Sequence, residues 1–332
     1  MRAALYEGVS LRKAVGPLAR LIADRAQSLP VLPGFTPTHL IVVEQNQYFR
    51  GLDSRLAAEG KNRDKRTYEF VELSGITRQV LVATTLCGHA VWQVGGTYTF
   101  DHSDEGFPYS SAGYGHHDTV TVSGALMYSS SGDLFRDIKA RNLRAVCRQL
   151  DCYYRNGTWW VDRLSVALGY LWAGMTTSHS ELAFVSFCMA LEAVASTSSN
   201  EITHILAERC ALLIEGPSER RLIAYEEVKA LYALRSKIVH GRSMPRKGPI
   251  TAETLAITAK RSFVPDSALV RIFVVAIAVI NGVLRSPDLM ALLHVRRSED
   301  KTSAALDEYF LRRLLHGDAT LLASRHSPRR MR

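Results

Sequence analysis

From Leu182 to Ala195 the chain reads Leu-Ala-Phe-Val-Ser-Phe-Cys-Met-Ala-Leu-Glu-Ala-Val-Ala, apolar on nearly every side of a helix. A helix without a polar face must be enclosed by others, so this stretch predicts the centre of a helical bundle. Its one internal charge, Glu192, then stands in an apolar setting and needs a cationic partner, because an unpaired buried carboxylate is costly. Arg235 and Arg209, each on a neighbouring expected helix, are the natural candidates.

The enclosing helices follow from apolar spacing and stop signals. One is expected over Trp160 to Met175, burying Leu164, Leu168, Leu171 and Trp172. Another covers Ile202 to Glu215 and stops at Gly216-Pro217. A further one covers Tyr225 to His240, where Val228, Leu231, Tyr232, Arg235 and Val239 recur at helical spacing and Gly241 gives a C-cap signal. A long apolar helix from Pro265 and an amphipathic helix over Thr302 to Leu315 complete the set. The most apolar run, Ala268 to Leu284, is short for a membrane span and carries Arg271 and Asn281, so it predicts a buried core helix.

The N-terminal half reads differently. Residues 3–29 predict a helix broken at Gly16-Pro17. Thr38–Glu44, Tyr68–Leu73, Gln79–Leu86, Ala90–Phe100 and Thr119–Met127 are rich in Val, Thr, Tyr and Ile and predict strands, with turns at Gly75, Gly88 and Gly95-Gly96. Arg55 to Arg66 predicts a helix followed by a loop. Asp133 caps an expected helix with Leu134, Ile138, Val146 and Leu150 on its apolar side. Lys139, Arg141, Arg144 and Arg148 lie on its polar side. The expected class is therefore α+β: a β-rich N-terminal region over 1–132, a connecting helix over 133–157, an all-α bundle over 158–318, and a basic tail over 319–332.

Net charge +9 and an isoelectric point near 9.4 favour an anionic partner, nucleic acid first. Five cysteines, with no C-x2-C pair and no hydrophobic leader, indicate a reducing, cytoplasmic setting. No P-loop, G-x-G-x-x-G, G-x-S-x-G or H-E-x-x-H pattern occurs, so the common nucleotide and hydrolase templates have no support. The loop Asp101 to His117 holds His102, Asp104, His116 and His117, but their spacing fits no metal motif. No metal and no cofactor is expected, and no membrane partner.

The Arg235-x4-His240 spacing means little alone in a chain this rich in Arg. Its setting means more. Leu-Tyr-x-Leu-Arg-Ser-Lys-Ile-Val-His-Gly resembles the last helix of HEPN domains, closest to the Apea-like branch. Ala190-Leu191-Glu192-Ala193-Val194 resembles that family's second helix, and Ala207-Glu208-Arg209-Cys210-Ala211-Leu212-Leu213 its third.

The resemblance implies a metal-independent RNA endonuclease, a defence or toxin effector, whose site is built across a homodimer. The RNA 2′-hydroxyl is the nucleophile and a cyclic phosphate the product. Arg235 would hold the scissile phosphate, and His240, whose side-chain type titrates near neutrality, would move the proton. Glu192, Tyr232, Ser236 and Arg209 would support them. Ser236 departs from the Asn, Asp or His common at that place. Lys237, Arg242, Arg246 and Lys247 would give an RNA strand a basic bed, and a trigger would act through the N-terminal region. The alternative is a HEPN adaptor that binds RNA or a protein without cutting. One straight helix sets Arg235 and His240 about 140° apart, so a twofold dimer or an unwound last turn is needed to bring both to one phosphorus.

Overall fold

The computed structural model describes residues 2–6, 9–13, 39–44, 58, 68–88, 91–101, 110–111, 119–128, 140–154, 162–177, 179–197, 202–214, 216–241, 268–294 and 299–316. The chain divides into two compact units, residues 1–159 and 160–332.

The first unit contains strands β1 (Arg2–Tyr6), β2 (Val9–Lys13), β3 (His39–Glu44), β4 (Val91–Asp101), β5 (Ser110–Ser111) and β6 (Thr119–Tyr128). They form one antiparallel sheet in the order β1-β2-β3-β6-β4-β5. Val9 faces Val43 and Leu11 faces Ile41 across β2 and β3, which sets these four buried side chains on one face. Helices α1 (Tyr68–Gly88) and α2 (Ala140–Tyr154) pack on each other, with α1 also against β3 and α2 against β1.

The expectation of an α+β chain with a β-rich N-terminal region is overturned. Most described residues are helical, and the two strands expected at Tyr68–Leu73 and Gln79–Leu86 are a single 21-residue helix, α1. The β-branched content misled, because α1 is enclosed: Ile76, Val80, Leu81, Val82 and Ala83 are all at most 1% exposed. Inside such a helix threonine hydroxyls need partners. Thr84 and Thr85 donate to the Leu81 carbonyl, at 2.7 and 3.0 Å. Gly75 lies inside this helix rather than in a turn. Gly95 and Gly96 lie inside β4, where the pairing register shifts between Val94 and Gly96. The start of the chain is also corrected. The helix expected over residues 3–29 is the β1–β2 hairpin as far as residue 13, where Val9 and Leu11 are buried at period two. Residues 14–29 lie outside the described residues, as do all but one residue of Arg55–Arg66.

The second unit is helical throughout its described residues: α3 (Arg163–Thr176), α4 (Ser180–Ala195), α5 (Ile202–Leu213), α6 (Ser218–Val239), α7 (Ala268–Leu284), α8 (Pro287–His294) and α9 (Glu299–His316). Helix α4 touches α3, α5, α6 and α7 and so occupies the centre. Close approach depends on two glycines. A Cβ on Gly174 would meet the Phe187 ring at 2.5 Å, and one on Gly282 would meet the Leu213 carbonyl oxygen at 2.2 Å. Helix α7 is buried over most of its length, and its Arg271 forms a two-pronged ion pair with buried Glu227 of α6. No single described helix is long and apolar enough to cross a membrane. Helices α7 and α8 reach the required length and apolarity only as a pair, bent by 100°.

Candidate functional site

The last turn of α4 is held by two guanidinium groups. Arg163 donates from Nε to the Ala193 carbonyl (2.8 Å) and from Nη2 to the carbonyls of Glu192 (3.3 Å) and Ser196. Arg209 donates to the Ala195 carbonyl (2.9 Å) and to the Thr197 hydroxyl (2.8 Å). Cations at a helix C-terminus satisfy carbonyls that have no partner within the helix and complement its dipole. The backbone that carries Glu192 is thereby fixed.

Of the two arginines expected to pair with Glu192, only Arg235 does so. Its Nη2 lies 3.2 Å from Glu192 Oε1, and Tyr232 donates its hydroxyl to that same oxygen at 2.5 Å. The Arg235 guanidinium also sits over the Tyr232 ring, 5.3 Å from its centroid. Arg209 instead pairs with Asp307 of α9 and lies 5.1 Å over the Phe310 ring, so its role is to tie α5 and α4 to α9.

Glu192 and Arg235 remain 25% and 28% exposed at the side chain, so this pair lies at the edge of the core. The Arg235 Nε–H is buried and has no hydrogen-bond partner among the described residues. The Nη2 side of the guanidinium is thus committed to Glu192, while the side chain stays partly exposed. Such a group keeps its orientation while still able to receive an anion oxygen. Burial pushes the Tyr232 hydroxyl pKa upward, with its hydrogen bond to Glu192 and the Glu192 charge adding to the shift. Tyr232 therefore stays a neutral donor. Cys188, one turn before Glu192, is pushed up to about 12, first by burial and then by Glu192, with Arg235 opposing. Sequence reasoning missed both Cys188 and Arg163 as neighbours of the site. Nothing in their spacing marks them, since both act through packing between helices.

Ser236, Lys237 and His240 are exposed. His240 is the C-cap of α6, with its backbone N–H donating to the Ser236 carbonyl (3.2 Å). Gly241 follows in the left-handed region at φ +85°, donating to the Ile238 carbonyl (2.9 Å). Glycine suits that conformation, which closes many helices. Helix α6 sends Arg235 toward α4 and leaves His240 on the outside, five residues later. In a regular helix that separation is about 7.5 Å of rise and about 140° of turn. Arg242, Arg246 and Lys247 lie outside the described residues, as do His102, Asp104, His116 and His117. Among the described residues no three His, Cys, Asp or Glu side chains gather as a metal site. Searches of protein families, of curated proteins and of solved structures gave no match to this chain.

Proposed function

We propose that the helical second unit is a metal-independent RNA endonuclease of HEPN type. The observation that carries the reading is the anchoring of Arg235. Glu192 and Tyr232 orient its guanidinium, whose side chain stays 28% exposed, on the same helix that ends in an exposed histidine. Arg235 would bind a non-bridging oxygen of the scissile phosphate and stabilise the charge that grows there in the transition state. His240 would take the proton from the 2′-hydroxyl. The 2′-oxygen then bonds to phosphorus, the bond to the 5′-oxygen breaks, and that oxygen takes a proton from solvent water as it leaves. The products are a 2′,3′-cyclic phosphate and a 5′-hydroxyl.

Because α6 turns the two residues apart, a second copy of the chain would supply one of them in a symmetric dimer. Glu192 is a positioning residue in this scheme, and Lys237 a contact for the RNA backbone. Regulation would enter through the first unit, as suits a defence or toxin effector. The test is to incubate purified protein with single-stranded RNA in excess EDTA. Cleavage by wild type, lost in both Arg235→Ala and His240→Ala, is the expected result. Cleavage that stops in EDTA and returns with a divalent metal contradicts the mechanism.

One observation favours a second reading, a non-cutting adaptor. Arg235 is already neutralised by Glu192 and faces into the bundle, away from His240. RNA binding without cleavage by wild type in that assay would support the adaptor.

A further inference from the structure

Helix α2 of the first unit has a clean division between its faces. Leu143, Cys147 and Leu150 are each 0% exposed, packed toward α1 and β1. On the opposite side Arg141, Asn142, Arg144, Ala145, Arg148 and Gln149 are all exposed. Arg141, Arg144 and Arg148 fall within about 60° of one another around the axis and span about 10.5 Å of rise. Among the described side chains of α2 none on that exposed face is acidic. The exposed faces of α6 and α9 mix signs, as with Glu226 and Lys229 or Glu308 and Arg312. Among the described residues, Arg141 and Arg148 have no hydrogen bond or ion pair.

We propose that this face of α2 docks the phosphate backbone of a nucleic-acid strand. Three guanidinium groups along one line offer planar donors for successive phosphates. Asn142 and Gln149 flank them with neutral donors and acceptors suited to sugar oxygens. An anionic membrane would meet the same charge, but among the described side chains the outward face offers no aromatic or large aliphatic group to enter a lipid surface. The ligand is therefore a strand read by charge and spacing rather than by base sequence. The inference does not depend on Arg235 or His240.

The experiment uses the full chain and a fluorescent 2′-O-methyl oligouridine of about 20 nucleotides, longer than one strand-binding module covers. That probe lacks the 2′-hydroxyl nucleophile, so binding is read apart from cleavage. Wild type should bind with a steep loss of affinity as salt rises. The variant Arg141→Gln/Arg144→Gln/Arg148→Gln should bind at least tenfold more weakly at low salt, with a log–log salt slope shallower by about 2, the value for three lost contacts to a single strand. The matching triple Lys variant should keep most of the affinity, because charge persists and the fold is untouched. Equal affinity and slope for wild type and the Gln variant would overturn the proposal. So would a wild type that ignores the oligonucleotide but pellets with phosphatidylserine vesicles through the same arginines. Cleavage by His240→Ala would sink the nuclease reading while leaving this one standing.

Discussion

At the scale of single residues, Glu192 separates structure from chemistry. Its Oε1 receives both Tyr232 and Arg235, so Glu192→Ala strands a partly buried guanidinium. The loss should be about 1–3 kcal/mol, below the range for a fully buried pair because both side chains are about a quarter exposed. Tyr232→Phe keeps the ring under the guanidinium and removes one hydrogen bond, for about 1 kcal/mol. His240→Ala, at an exposed helix end, should leave the melting temperature unchanged and abolish RNA cleavage. Thermal melts beside cleavage assays below each midpoint check all three. Should Glu192→Ala melt like wild type yet be as inactive as His240→Ala, Glu192 acts in the chemistry itself. A further outcome concerns Cys188. With its pKa pushed up to about 12, mainly by burial, the neutral thiol persists to pH 8–9. Native protein at pH 8 should leave Cys188 unlabelled by iodoacetamide, whereas urea-unfolded protein should label it fully. Rapid native labelling would show that the α4–α6 contact opens.

At the scale of elements, the second unit depends on two close helix contacts that differ in kind. Gly282→Ala would drive a methyl group into a backbone carbonyl of α5, and Gly174→Ala into the Phe187 ring of α4. Backbone cannot turn aside as a ring can. Gly282→Ala should therefore cost about 1–3 kcal/mol and exceed Gly174→Ala, a ranking that urea denaturation of both variants will measure. The same contrast explains what the sequence made legible. Helices α3, α4, α5 and α6 follow from apolar spacing over a full turn and from stop signals at Gly216, Pro217 and Gly241. The Glu192–Arg235 pairing was legible because a carboxylate at the centre of an apolar helix has few possible partners. What failed was α1, where Val, Thr and Ile suggested strands although burial on all sides removed the amphipathic pattern that marks a helix. The hairpin at residues 2–13 failed because five-residue strands offer too few repeats to separate period two from period 3.6. Helix α6 begins at Ser218, seven residues before the expected start at Tyr225, a start hidden in the sequence because exposed Leu222 breaks the apolar stripe.

At the scale of the whole molecule, the proposed mechanism makes assembly a condition of activity. Arg235 turns toward α4 while His240 stays outside, so one copy alone does not present both to a single phosphorus. If each site takes Arg235 from one copy and His240 from the other, mixing inactive Arg235→Ala with inactive His240→Ala should restore activity. Random exchange of subunits in a symmetric dimer leaves about a quarter of the sites intact. No recovery after co-refolding, with dimers present by light scattering, would place both residues in one chain. The most direct measurement of the central claim is the chemistry of the cut ends. RNA treated with wild-type protein in EDTA should carry 2′,3′-cyclic phosphate and 5′-hydroxyl termini, and RNA treated with His240→Ala should remain whole. Termini with 3′-hydroxyl and 5′-phosphate, or equal cutting by His240→Ala, would contradict it.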